Sequence, residues 1–262
     1  MTASRAAALR ALHVPGKPVV LPNVWDAASA RTVVAAGFPA VATASAAVAP
    51  ALGFEDHEAA PAAEMFAAVA RIVRAVDVPV TADLERGYGL PPAELAERLA
   101  ETGAVGCNLE DSDPRTGAMV EADEQAEFLS AFRRAAPHVV INARTDTLLR
   151  GNPATEEERR DLLSEAVARG RTYAEAGADC IYALSLQALS AETVRELVKG
   201  IGAPVNIAYG PGSPLSLADL AAAGVARVTF GPGLFMAVQK HLADLAEEIA
   251  AGRDPYAGLK LW

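Results

Sequence analysis

Short apolar runs of β-strand character alternate along the chain with longer amphipathic segments of helical character. The strand candidates are residues 18–26, 39–48, 78–85, 104–111, 138–146, 179–186, 203–210 and 226–233. The helix candidates lie near residues 26–36, 60–76, 92–102, 123–135, 156–176, 190–200, 216–223 and 234–250. Such alternation favours strand–helix units whose strands pair in parallel.

A repeated phrase closes several of the helix candidates. It reads AAGFPAV, ETGAVGC, EAGADCI and AAGVARV, and its glycine lets a helix end with a positive φ before the next strand. Eight such units predict an α/β fold, a TIM-type (β/α)8 barrel, with residues 1–262 forming one domain. A doubly wound open sheet is the alternative, but the chain contains neither GxGxxG after the first strand nor GxxxxGK[ST].

Composition and charge exclude several classes of partner. With 23 Lys and Arg against 33 Asp and Glu, the net charge of -10 argues against binding to nucleic acid or to anionic membranes. The uncharged segment 32–54 is too interrupted by Gly, Pro, Ser and Thr to span a membrane. The N-terminus, MTASRAAALRALHVPG, has the pattern of a short amphipathic helix and lacks the apolar core of a signal peptide. Cys107 and Cys180 form no disulfide or metal-binding pattern, so we expect a cytoplasmic protein.

Polar residues end most of the strand candidates, where a barrel carries its active site. Asp83 and Glu85 lie two apart on one strand face, and Glu110 ends the neighbouring strand. Gathered carboxylates raise one another's pKa or require a cation. Oxygen ligands suit Mg²⁺, with Mn²⁺ as a possible substitute, and we therefore predict a divalent metal site.

Arg144, two residues after Asn142 on the same strand face, is the candidate for binding a substrate carboxylate through its fork of donors. The alternative is an ion pair with Asp146 or Glu110. A metal and an arginine on one rim favour a small anionic substrate. There is no GxSxG motif, and the four histidines show no metal-ligand spacing, which favours surface or structural roles for them.

The successive motifs NVWDAASA, ATASAAVAPALGFED, VTADLERGYG, CNLEDS, NARTD and FGPG resemble the isocitrate lyase/phosphoenolpyruvate mutase superfamily across nearly the whole chain. The resemblance implies a barrel that binds Mg²⁺ and a 2-oxo or 2-hydroxy acid, with an enolpyruvate-like intermediate. It implies Asp83 as the direct metal ligand, with Asp56, Glu85 and Glu110 supporting the metal largely through water.

The same resemblance assigns the substrate-binding residues. They are Trp25, Ser45, Ala46, Ala47 and Arg144, to which we add Asn206 at the end of the seventh strand candidate. The residues with predicted catalytic roles are Arg144, Glu110 and Arg115.

One loop departs from the family pattern. Members that cleave isocitrate or methylisocitrate carry Lys, Cys, Gly and His in the loop after the fourth strand, and the mutase and phosphonopyruvate hydrolase subgroups carry Lys and Asn. Here the loop reads DSDPRTGAMVEADEQ, and Arg115 is its only cation. Arginine is a poor proton donor, so candidates for the acid/base are Tyr88, Ser112, Tyr182, Tyr209 or a metal-bound water.

Three functions remain open at this point. The first is a Mg²⁺-dependent carbon–carbon lyase or decarboxylase acting on a small acid such as oxaloacetate or a 2-alkylmalate. The second is a phosphonomutase or phosphonopyruvate hydrolase acting on a P–C bond, which the missing loop lysine disfavours. The third is a non-catalytic barrel that binds a 2-oxo acid.

The C-terminal segment, residues 234–262, carries Leu, Phe, Met, Val and Trp262 beyond the last strand candidate. The family resemblance implies exchange of a C-terminal helix within a dimer, and pairing of dimers into a homotetramer. The alternative is packing of this helix onto its own barrel.

Overall fold

The computed structural model of the protein describes residues 2–151 and 153–258. In this part of the chain one parallel sheet runs in the order β1-β9-β8-β7-β6-β5-β4-β3-β2. Its strands are β1 Val19–Leu21, β2 Asn23–Val24, β3 Val41–Thr43, β4 Val80–Asp83, β5 Gly106–Glu110, β6 Val140–Thr145, β7 Cys180–Ala183, β8 Val205–Ala208 and β9 Arg227–Thr229. The outermost strands, β1 and β2, follow each other directly in sequence, so the sheet curls into a nearly closed barrel.

The first predicted strand is divided at Pro22. Its first part, β1, pairs with β9, and its second part, β2, pairs with β3. Proline has no N–H to donate to the ladder, which explains why the strand changes partner there. The eight predicted strands thus appear as nine, and the predicted TIM-type architecture is confirmed.

The helices of the described chain surround this sheet. They are α1 Thr2–Ala11, α2 Ala27–Ala35, α3 Ser45–Leu52, α4 Ala62–Ala75, α5 Pro92–Thr102, α6 Ala122–Ala135, α7 Thr147–Arg150, α8 Glu156–Glu175, α9 Ala191–Ile201, α10 Leu217–Ala222 and α11 Gly233–Ala250. Each helix candidate corresponds to one of them, which confirms the alternation read from the sequence. Leu109, Ile141 and Ile181 on the strands pack with Leu129 and Leu197 on the helices in the largest buried cluster.

Two short helices were missed. The strand candidate 39–48 is wrong beyond Thr43, because α3 begins at Ser45. Its sequence, SAAVAPAL, is rich in alanine, which favours helix and is uncommon in strands. The second, α7, is a single turn directly after β6.

The amino end of the barrel is closed by α1. Leu9 is fully buried in a cluster with residues at the strand starts, including Val19 and Val140. A Cβ on Gly106 would lie 2.8 Å from Leu9 Cδ2, so the absence of a side chain at Gly106 allows the helix to approach this closely.

None of the helices in residues 2–151 and 153–258 is long and apolar enough to cross a membrane. Trp262 lies outside the described residues. The extent of the single domain, residues 1–262, therefore stays a prediction.

Candidate active site

The carboxyl ends of the strands surround a cavity of about 970 Å³. Asp83, Asn108 and Arg144 line it from β4, β5 and β6, and Ser45 and Ala46 line it from the start of α3. The loops after β7, β8 and β9 form the remaining wall together with part of α11. The predicted convergence of polar strand ends on one rim is therefore seen.

Asp83 is held by hydrogen bonds on both carboxylate oxygens. The backbone N–H of Ser45 donates to Oδ2 at 2.9 Å, and Asn108 Nδ2 donates to Oδ1 at 3.4 Å. Its own N–H donates to Thr43 Oγ1 at 2.8 Å. These contacts come from three adjacent strands and one helix start, so the direction of the carboxylate is fixed by the barrel itself.

A polar ladder runs from Asp83 into the barrel interior. Asn108 Oδ1 accepts hydrogen bonds from Asn142 Nδ2 at 2.8 Å and from Arg227 Nη2 at 3.2 Å. Arg227 is fully buried, and burial lowers the pKa of its guanidinium. The interior beneath the cavity is thus polar and contains the buried guanidinium of Arg227.

Glu85 is almost completely buried beside other carboxylates. It accepts hydrogen bonds from the Glu58 N–H at 2.8 Å and from the Tyr88 hydroxyl at 3.0 Å. Burial, and then the charges of Asp56 and Asp83, raise the pKa of Glu85 to about 8. The neighbouring charges of Asp56 and Asp83 therefore oppose the ionisation of Glu85.

The two loops around Glu85 are locked in strained conformations. The non-glycine residues of the described chain with positive φ are His57, Glu58, Glu85 and Tyr88, with values from 49 to 67°. Glu58 Oε1 accepts the backbone N–H groups of Tyr88 at 2.7 Å and Arg86 at 3.1 Å, which ties the loops together. Glu58 was not predicted from the sequence, because its role depends on this backbone conformation.

Arg144 lies between two carboxylates. Its Nη1 is 2.5 Å from Glu110 Oε2, and its Nε and Nη2 donate to the two oxygens of Asp146 at 2.6 and 2.9 Å. Burial opposes the charge of Arg144, but Glu110 and Asp146 outweigh it and raise the pKa of the guanidinium. Burial raises the pKa of Glu110 above its usual range although Arg144 opposes this. The ion-pair alternative is therefore realised with both acids, and substrate binding by Arg144 stays a prediction.

Asp146 anchors this arrangement. Its carboxylate also accepts the Ser112 hydroxyl at 2.7 Å, and its N–H donates to Asp111 Oδ1 at 2.8 Å. Asp111 in turn accepts the Tyr173 hydroxyl at 2.7 Å. The loop after β5 is thus connected at its base to β6 and α8 through buried polar groups.

The predicted substrate-binding residues fall into two groups. Ser45 and Ala46 line the cavity with Arg144, and the N–H of Ala46 lies in the first turn of α3, where helix geometry provides no acceptor. The other three predicted residues make contacts within the protein. Trp25 packs edge-on against Phe235 with ring centroids 5.3 Å apart, Asn206 exchanges hydrogen bonds with Thr229, and the Ala47 N–H donates to the Ala44 carbonyl.

The acid/base candidates also separate. Tyr182 and Tyr209 line the cavity, whereas Tyr88 and Ser112 donate to the carboxylates of Glu85 and Asp146. Arg115 is 87% exposed, and its guanidinium is 3.5 Å from Asp113 Oδ2. The catalytic assignment of Arg115 stays a prediction that this arrangement does not support.

The residues present fit a hard divalent cation bound mostly through water. The donors are carboxylates, and Asp56 Oδ1 is buried without a hydrogen-bond partner in the described part of the chain. Among residues 2–151 and 153–258, no three His, Cys, Asp or Glu side chains are placed to hold one ion together by direct contact. Mg²⁺ retains several waters and needs few protein ligands. The assignment of Asp83 as direct ligand, with Asp56, Glu85 and Glu110 behind water, stays a prediction.

The histidines and cysteines contribute little to the cavity. His57 lines its mouth, and His13 is buried, with burial and then the charge of Arg227 lowering its pKa to about 4. Cys107 and Cys180 are buried free thiols, and burial raises the pKa of both, to about 12 for Cys180. They act as small apolar side chains and not as nucleophiles.

Comparisons with known proteins agree with this geometry. Residues 9–250 match the family model described as phosphoenolpyruvate phosphomutase. An uncharacterized protein of Mycobacterium tuberculosis strain H37Rv is 33% identical over 256 residues, which cover 95% of this chain and 93% of that protein.

Two solved structures carry functional descriptions. One, from Burkholderia cenocepacia J2315 and described provisionally as a phosphonomutase, is 44% identical with a TM-score of 0.85, covering 93% of this chain and 99% of that one. The other is a 2,3-dimethylmalate lyase of the PEP mutase/isocitrate lyase superfamily, 25% identical with a TM-score of 0.82, covering 98% and 88%. The chain therefore belongs to the phosphoenolpyruvate phosphomutase family, a group of lyases and mutases built on this barrel.

Proposed function

We propose that the protein is a Mg²⁺-dependent lyase that cleaves or decarboxylates a small 2-oxo or 2-hydroxy dicarboxylic acid through an enolpyruvate-like intermediate. Oxaloacetate and 2-alkylmalates are the proposed substrates. The observation that carries this proposal is the convergence on one cavity of the Asp83 carboxylate, the Ala46 N–H and the Arg144 guanidinium. Mg²⁺, when bound, supplies a Lewis acid for an enolate oxygen.

The chain's own groups have separable roles in this proposal. The start of α3 attracts the substrate carboxylate, because the Ala46 N–H and the helix dipole both favour an anion there. Arg144 orients the same end of the substrate while remaining anchored to Asp146.

Tyr182 is the proposed proton donor to the carbanionic carbon. It lines the cavity in register with Arg144, and burial raises the pKa of its phenol, which keeps it protonated at neutral pH.

The alternative function is cleavage or rearrangement of a P–C bond. The structure from Burkholderia cenocepacia described provisionally as a phosphonomutase favours it, since that chain is 44% identical to this one. Against it stands the loop after β5, whose only cation, Arg115, is exposed and paired with Asp113. Phosphoryl transfer needs positive charge beside the departing group.

A direct assay separates these functions. The protein is supplied with Mg²⁺ and oxaloacetate, 2-methylmalate or phosphonopyruvate, while pyruvate, carbon dioxide and phosphate are measured against an enzyme-free control. Pyruvate formed from either dicarboxylate and abolished by EDTA supports the lyase. Phosphate from phosphonopyruvate alone supports the alternative, and binding without any product supports a non-catalytic barrel.

We also propose a homo-oligomer, a dimer or tetramer, formed through α11. None of the side chains of α11 is buried, and Met236, Val238, Leu242 and Ile249 are exposed apolar residues along it. The Trp25–Phe235 contact shows that α11 also packs on its own barrel. For the location we propose the cytoplasm, as expected from the sequence.

A further inference from the structure

The cations near the cavity differ in how far the protein itself neutralises them. Arg144 is engaged by Glu110 and Asp146 on all three of its nitrogen atoms. Lys240, on α11, is paired with Asp244 one turn further on. The positive charges of these two residues are therefore paired with acidic side chains of the protein itself.

Among the Arg and Lys residues that line the cavity, Arg150 is the exception. It lines the cavity from the end of α7 and is exposed, and its guanidinium forms no hydrogen bond or ion pair within residues 2–151 and 153–258. The backbone N–H of Arg150 donates to the Asp146 carbonyl at 2.8 Å. This backbone bond connects Arg150 to the same strand end that anchors Arg144.

Arg150 is exposed, and its backbone and guanidinium each lie next to a glycine with a close neighbour. Gly151 follows it, and a Cβ there would overlap Leu162 Cδ1, so the chain turns tightly against α8. On the other side a Cβ on Gly117 would lie 3.0 Å from Arg150 Nη1, and Gly117 has a φ of +69°. The guanidinium therefore lies directly against the loop after β5, at the place where that loop can approach most closely.

The cavity beside Arg150 is also partly apolar. Leu149, Leu184 and Leu189 line it, together with the aromatic ring of Tyr209. A carbon chain or an alkyl branch suits this wall, whereas a charged group does not. The chemistry of the cavity thus offers anion-binding groups at Ala46 and Arg150 and apolar contacts along its wall.

We propose that Arg150 binds the second anionic group of the substrate, a carboxylate or a phosphonate, and so selects dianionic acids over monoanionic ones. The inference rests on the proposed function for the identity of the substrate, but not for the existence of the anion subsite. A guanidinium forms two parallel charge-assisted hydrogen bonds with either group. A guanidinium without a partner in the protein can form both bonds without first breaking an ion pair. Arg150 thus places an unpaired positive charge at the cavity, whereas Arg115 in the loop after β5 is paired with Asp113.

The test uses two matched hydroxy acids, 2-methylmalate and 2-hydroxyisobutyrate, of which the second lacks the distal carboxylate. With Mg²⁺ present, we expect Arg150→Met to weaken 2-methylmalate binding by roughly 10-fold to 100-fold, the range for a hydrogen-bonded charge. Binding of 2-hydroxyisobutyrate should be unchanged. Arg150→Lys should restore part of the loss. Arg160→Met on α8, an exposed arginine, is the control for loss of one charge.

A parallel pair, phosphonopyruvate and pyruvate, identifies the anionic group. If Arg150→Met loses the preference for the dianion in either pair, the subsite is supported. The pair in which the preference is lost shows whether the bound group is a carboxylate or a phosphonate. If Arg150→Met keeps the wild-type preference for the dianion in both pairs, within twofold, the proposed subsite is refuted. Binding is measured by calorimetry and does not require turnover. Absence of turnover would therefore refute the lyase function but would leave the test of the anion subsite valid.

Discussion

Glu85→Gln is expected to make the metal-free protein less sensitive to pH. Glu85 is buried beside Asp56 and Asp83, and its pKa rises from 4.5 to about 8 on folding. The folded state therefore binds a proton more tightly than the unfolded state. Stability from this group is fully present below pH 4.5 and is lost as the pH rises through about 8.

The magnitude follows from the same shift. Each pKa unit corresponds to 1.36 kcal/mol, so ionisation of Glu85 lowers the free energy of unfolding by ~3 kcal/mol between about pH 5 and pH 8. Glutamine cannot ionise and retains a similar shape, so this part of the pH dependence disappears in the variant. Saturating Mg²⁺ should also reduce the slope in the wild-type protein, because the cation compensates the ionised carboxylates.

Urea denaturation in EDTA, followed by circular dichroism at several pH values, measures the effect. The quantity compared is the difference in unfolding free energy between the wild type and Glu85→Gln at each pH, since other titrating groups cancel. Glu101→Gln, an exposed position on α5, is the matched control. Parallel curves for Glu85→Gln and the wild type would refute the electrostatic cluster.

Three further changes test other parts of the molecule. Asp83→Asn should abolish the Mg²⁺-dependent rise in Tm and lower kcat by at least ~100-fold, so metal stabilisation that survives in a calorimetric scan argues against Asp83 as ligand. Arg144→Met should lower the free energy of unfolding by ~3–5 kcal/mol, because Glu110 and Asp146 are left buried without a cation. Adding Glu110→Gln should recover part of this loss. A urea midpoint like that of the wild type contradicts the prediction. Leu242→Asp should reduce the particle mass in light scattering, whereas an unchanged mass would show that α11 does not form the proposed interface.

The strands were predictable because burial on both faces of a parallel sheet produces continuous apolar runs. Candidate 104–111 corresponds to β5, Gly106–Glu110, all of whose residues are buried. Candidate 39–48 failed beyond Thr43 because an alanine-rich run is apolar in either conformation, and helix propensity decides it. Pro22 gave a visible signal for the divided strand, but the change of partner depends on closure of the barrel.

The acidic cluster could also be anticipated, since strand ends of adjacent strands meet at one rim. The sequence could not decide between substrate and protein as the partner of Arg144, because Glu110, Asp146 and a ligand carboxylate offer the same chemistry. Glu58 and Arg150 were missed for a different reason. The role of Glu58 depends on its positive φ, and that of Arg150 on a single helical turn that ends against α8; neither feature leaves a periodic pattern in the sequence.

Closure of the amino end by α1 has a consequence for access to the cavity. Because Leu9 packs against Gly106, α1 blocks the amino end of the barrel axis. Substrates and products must therefore enter and leave through the opening at the carboxyl end. In the lyase reaction proposed above, both products would leave through the same opening. Each product should therefore inhibit the reaction by occupying the only route of entry that α1 leaves open in the described part of the chain.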